Sequence, residues 1–149
     1  MQTYKIANDI RERAIKIIKD VKELNHIVVD NIIFVRTTKH IKGDHVLGCC
    51  VFLNDRTQFL SNKKYMVEFP PVFDTLKEKQ QDIVIEHELY HIPLEEKGLV
   101  EHDIGEFRKI VDKYTLEWFQ IYQEAESNIK LLKEKDKLLK KQKQKDDDA

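Results

Sequence analysis

The sequence has no apolar stretch long enough to span a bilayer. Its first residues, Met1 to Asp9, lack the basic-then-apolar order of a secretory leader, so the expected location is cytoplasmic. It has little net charge, −1 with a pI near 6.6, so no global basic field points to a polyanionic partner. It has two cysteines, Cys49 and Cys50, and they are adjacent, a poor spacing for a mutual disulfide. Both lie in the apolar run Val46 to Leu53 and read as small buried hydrophobes, and free thiols fit a reducing compartment. There is no internal repeat.

What is present suits one domain with one core: 149 residues, 41% of them hydrophobic. The 36% of charged residues is high, and the excess gathers at the C-terminal end. From Thr3 to Leu24 the apolar positions Ile6, Ile10, Ala14, Ile17, Val21 and Leu24 recur every three or four residues and predict an amphipathic helix. Its other face, with Arg11, Arg13, Lys16, Lys19 and Lys22, reads as solvated surface. Three strands are expected, at Ile32–Thr38, Val46–Leu53 and Lys64–Phe69. Asn54-Asp55-Arg56 ends the second, and Pro70-Pro71 stops the third. A second helix is expected from about Asp74, as its cap, to Pro93. A long helix follows from about Asp103. Asp103-x-x-Glu106 has the form of a capping box, and the apolar seam is Phe107, Val111, Tyr114, Trp118, Ile121, Ala125, Ile129 and Leu132. The fold class is α+β: the two shorter helices on a small, mostly antiparallel three-stranded sheet, with the long C-terminal helix closing the site. Residues 1–132 form the domain. Residues 133–149, rich in lysine, glutamine and aspartate, read as a disordered tail or fraying helix end.

The chemistry concentrates in His87-Glu88-Leu89-Tyr90-His91, an H-E-x-x-H sequence on the second helix. Positions four apart share a helix face, so both imidazoles can reach one zinc ion (Zn2+) at about 2.0–2.1 Å. Glu88 flanks the metal and is placed to take a proton from a zinc-activated water and return it to the leaving amine. With six His and 14 Glu in the chain, composition alone produces such a match about 2% of the time, which makes coincidence the weaker explanation. A catalytic zinc needs a third protein ligand. The candidates are Glu95, Glu96, Glu101, His102, Asp103 and Glu106. His102 is favoured because the ten residues Ile92 to Glu101, pivoting at Gly98, can bring it back over the metal. Glu106 is the runner-up, and Asp103 reads as a helix cap or a carboxylate orienting a ligand histidine.

His87-Glu88-Leu89-x-His91-Ile92-Pro93, then Gly98, His102-Asp103 and Phe107, resembles the putative phage metallopeptidase family over roughly residues 3 to 120. The resemblance implies a zincin-like core, His87, His91 and His102 as metal ligands, and Glu88 as the acid/base. It also implies that the strand before the metal helix, here Lys64 to Phe69, lies at the rim of the cleft and pairs with extended peptide. No oxyanion stabiliser stands out: Tyr114 and His45 are candidates, and Tyr90 reads as core. His26, His40 and His45 read as solvent-facing, and Trp118 as part of the helix seam.

The leading function is therefore a zinc peptidase, phage- or prophage-related, with a protein or peptide substrate and no membrane partner. One rival is a DNA-associated or repressor-cleaving zincin, although the lysines from Lys133 to Lys145 are interleaved with acids and give no clear nucleic-acid signal. The other is a non-enzymatic, zinc-stabilised interaction protein whose long helix associates with itself or a partner. A fourth ligand closing the zinc would favour the last.

Overall fold

A computed structural model describes residues 3–40, 46–102 and 106–148 of the chain. It confirms the α+β class and corrects the sheet. Four strands, β1 (Tyr4–Ile6), β2 (Ile32–Thr37), β3 (Cys49–Phe52) and β4 (Tyr65–Phe69), lie in the order β1-β2-β4-β3. The expected three-stranded, mostly antiparallel sheet is thus a four-stranded mixed one. β1–β2 and β3–β4 are antiparallel, while β2–β4 is parallel, in register from Ile32↔Tyr65 to Arg36↔Phe69.

The extra strand comes from residues assigned to the first helix. All three residues of β1 are exposed, and Ile6 fell on the helical spacing by coincidence. Pairing of Tyr4 with Thr37 and Ile6 with Val35 decides the matter, and α1 runs only from Asn8 to Asp20. Ile10 and Ala14 are its buried residues. Arg36 on β2 then ties sheet to helices: its guanidinium reaches Asp9 at 2.6 Å and Asp74 at 3.1 Å. Asp74 is therefore an ion-pair partner inside a short 3-10 turn, Pro71–Thr75, and not a helix cap.

Asn54 does not only end a strand. Its Oδ1 accepts from Thr57 N at 2.8 Å and caps α2 (Asp55–Ser61), which the sequence reading missed. β4 shows the expected period of two, with Tyr65, Val67 and Phe69 buried and Met66 and Glu68 partly so. It is paired on both sides, so it is not an edge strand; the edges are β1 and β3.

The metal-motif helix, α3, spans Glu78–Leu89, and every residue from Ile83 to Leu89 is buried. The expected single long helix is two: α4 (Arg108–Tyr114) and α5 (Leu116–Asp147), parted by Thr115 at φ 45 and ψ −116. Trp118, Ile121 and Ala125 of α5 enter the core, and α5 continues through the residues read as a tail, all exposed from Lys133 to Asp148. No helix among the described residues is long and apolar enough to cross a membrane.

Candidate metal centre

His87 and Glu88 lie in the last turn of α3, and His91 follows where the helix tightens. His91 N bonds Glu88 O at 3.2 Å, three residues back, and Ile92 N bonds Leu89 O at 3.1 Å. The chain then turns back. Glu96 (φ 49) and Gly98 (φ 73) adopt left-handed backbone, and Val100 N bonds the His91 carbonyl at 2.7 Å. Two residues later His102 completes the cluster. Its Nε2 is 3.2 Å from Nε2 of His87 and 3.2 Å from Nε2 of His91. All three ligand atoms lie within 4.8 Å of one another, a group that could hold a metal ion.

Nitrogens bound at about 2.0–2.1 Å are separated by about 3.3–3.4 Å on a tetrahedron, and the two spacings from His102 Nε2 are close to that. The ring orientations also suit ligation. His91 Nδ1 is 2.7 Å from the Val100 carbonyl; donation there leaves the Nε2 lone pair facing the gap. Behind His87, Glu106 Oε1 is 2.5 Å from Nδ1, an ion-pair contact without the straight line of a good hydrogen bond.

Glu88 is 3% exposed, and its carboxylate faces the same gap. Oε1 is 3.7 Å from His87 Nε2 and Oε2 is 4.0 Å from His91 Nε2. Oε2 has no hydrogen-bond partner, an orphaned buried acceptor of the kind a cation or a polarised water satisfies. Burial pushes the Glu88 pKa up to about 7; His87 and the Cys50 backbone pull it down, and Glu106 adds to the rise. Burial alone would lower the His87 pKa, but Glu88 and Glu106 together raise it above 6.5.

Aromatic rings wall the cluster. Phe107 meets His87, His91 and His102 with centroids 5.4, 4.9 and 5.0 Å away. Trp118 stacks on His87 at 5.1 Å and 11°. Gly48, just before β3, makes room for the carboxylate: a Cβ there would sit 3.3 Å from Glu88 Oε1 and 3.3 Å from the Glu68 carbonyl. An apolar cavity of about 630 Å³ borders the centre and shares Val100 and Phe107 with it.

The structure thus gathers His87, Glu88, His91 and His102. Glu106 stands behind His87 and is not in the three-residue metal group. Glu96 points elsewhere, to Asn31 and Lys64. Tyr114 sits beside Lys113 and Glu86. His26, expected in solvent, is partly buried with Nε2 2.9 Å from the Ile92 carbonyl. Asp103 and His45 lie outside the described residues. Gly48 and the ring contacts of Phe107 and Trp118 were missed as site features, and only the apolar seam hinted at the two rings.

Fold and site together define an α+β protein with a three-histidine candidate metal centre backed by a buried carboxylate. The chain belongs to the putative phage metallopeptidase family, whose model matches residues 2–126. No curated protein and no solved structure matches it.

Proposed function

We propose that the chain is a zinc-dependent metallopeptidase of zincin type, with His87, His91 and His102 holding Zn2+ and Glu88 as general base and acid. The observation that carries this reading is the buried Glu88 carboxylate, one oxygen unpartnered, 3.7 and 4.0 Å from two ring nitrogens that converge with a third. Zinc would supply a Lewis acid there and lower the pKa of a neighbouring water. Glu88 takes a proton from the attacking water and passes it to the leaving amine, and a pKa near neutrality suits both transfers. The Val100 carbonyl and Glu106 hold the His91 and His87 rings in orientation.

Substrate would lie along β3, the edge strand beside Glu88, pairing its backbone with the free edge. Residues 1–132 would form the catalytic domain and 133–149 an accessory tail. The two free cysteines support a cytoplasmic site of action.

Elemental analysis of protein purified without added metal, together with a peptide-library cleavage assay, tests the proposal. One zinc per chain is expected. Glu88→Gln is expected to keep zinc and fold while hydrolysis falls roughly 10²–10⁴-fold. Absence of zinc with no binding on titration refutes the metal assignment, and undiminished cleavage by Glu88→Gln refutes the acid/base assignment.

A further inference from the structure

We propose that Glu96 is a positioning residue for the centre: its carboxylate fixes the loop that delivers His102, and so sets metal affinity without touching the metal. This rests on the metal-centre reading above.

His102 is the one member of the cluster that α3 and its final turn do not supply. A side chain on a loop coordinates well only if its backbone is held to about 0.5 Å. The loop is tied at three points two residues apart. At Glu96, both carboxylate oxygens are used. Oε2 accepts from Asn31 Nδ2 at 2.9 Å and from Lys64 Nζ at 3.2 Å, and Oε1 accepts from Val28 N at 3.3 Å. Those donors flank the starts of β2 and β4, so the loop is pinned to the two central strands. At Gly98, the carbonyl accepts from the hydroxyl of fully buried Tyr65 at 2.8 Å. At Val100, backbone N and carbonyl both engage His91 at 2.7 Å.

The side chain of Glu96 is only 14% exposed, and its backbone has φ 49, an unfavourable conformation for a residue with a Cβ. Such a residue persists when its surroundings over-determine it, and three donors on one carboxylate do so. The loop needs the bend there to reverse direction after Pro93 and return to His91. Glu96 lies on the stretch of chain that joins His91 to His102. Releasing Glu96 lets the 96–100 segment relax, and His102 is the group displaced.

Cobalt(II) titration separates the roles, because its visible bands report ligand number and geometry. Wild type, Glu96→Ala, Glu96→Gln, Tyr65→Phe and Asn128→Ala are compared for cobalt affinity, visible spectrum and metal-free melting temperature. Asn128 bonds Thr75 far from the loop and serves as the control. Glu96→Ala is expected to weaken binding by about 10–100-fold and to alter the bands. Glu96→Gln, which keeps one carbonyl acceptor, should recover part of the loss, and Tyr65→Phe should shift affinity in the same direction. Asn128→Ala should bind as wild type does. If Glu96→Ala fails to fold, Glu96→Gln decides. Wild-type affinity and spectrum in the Glu96 variant that folds overturn the assignment. A wild-type protein that binds no cobalt overturns the metal-centre reading itself.

Discussion

Glu106 Oε1 lies 2.5 Å from Nδ1 of His87, on the far side of the ring from the Nε2 that faces His102. On the proposed reading, a carboxylate in that position orients the His87 ring and does not itself ligate the metal. His102→Ala should therefore weaken zinc binding more than Glu106→Ala, for which about 10–100-fold is expected. Competition against a chromophoric chelator measures both. The opposite ranking would make the centre two histidines and a carboxylate, with Glu106 as the third ligand.

Gly48→Ala tests the close approach beside Glu88. The new Cβ would lie 3.3 Å from Oε1 and 3.3 Å from the Glu68 carbonyl, so the carboxylate must give by a few tenths of an ångström. A displacement of that size at a catalytic group should lower kcat roughly tenfold. Overpacking should cost about 1 kcal/mol of stability. Turnover and a thermal melt on the same preparation check this, and an unchanged kcat would show that Glu88 has room to spare.

The metal-free protein should lose stability as pH rises from about 5 to about 8. Two groups contribute with the same sign. Glu88 titrates near 7 when folded against 4.5 as its ordinary value, so the folded state holds its proton longer and gains stability only while protonated. His87 is raised above 6.5, so its contribution is full below that pH and is lost as pH climbs through the folded value. Melting temperatures in chelator across that range measure the slope. Added zinc should reverse it, because ligation needs neutral imidazoles. A flat or rising metal-free profile would contradict the burial and charge arrangement around the two residues.

Glu86 neighbours the motif but faces Lys113 of α4, whose Nζ is 2.7 Å away, and it is 2% exposed. Lys113→Met removes the cation paired with that buried carboxylate and should cost roughly 1–3 kcal/mol. The double variant with Glu86→Leu should recover part of it, since removing both partners spares the desolvation penalty. Urea unfolding of the wild type, Lys113→Met, Glu86→Leu and the double variant tests the coupling, and additive losses would mean the pair contributes nothing of its own.

The metal motif was legible because its signal is local: helical spacing alone puts His87 and His91 on one face. His102 was favoured among several acidic candidates, but its placement was less direct, since it depends on the positive-φ bends at Glu96 and Gly98, and only the glycine advertises itself. The alternation of Tyr65, Val67 and Phe69 marked β4 as a strand, but partners cannot be read from alternation, and the rim position that the family resemblance implied for it does not fit a strand paired on both sides. β1 was hidden because Ile6 and Ile10 are four apart, a spacing that serves a helix equally well. The break at Thr115 left no trace either. The apolar seam runs on from Tyr114 to Trp118 across it, and a threonine at φ 45 carries none of the usual turn signals.

Trp118 is the only tryptophan in the chain, and its indole lies flat on the His87 ring. The protein therefore carries its own optical reporter. Protonating that imidazole changes how strongly it quenches the indole, and so does drawing its lone pair into a coordinate bond. The tryptophan emission of this chain comes from one residue only. A titration followed in that emission reads the state of the centre in unmodified protein, with no label and no turnover.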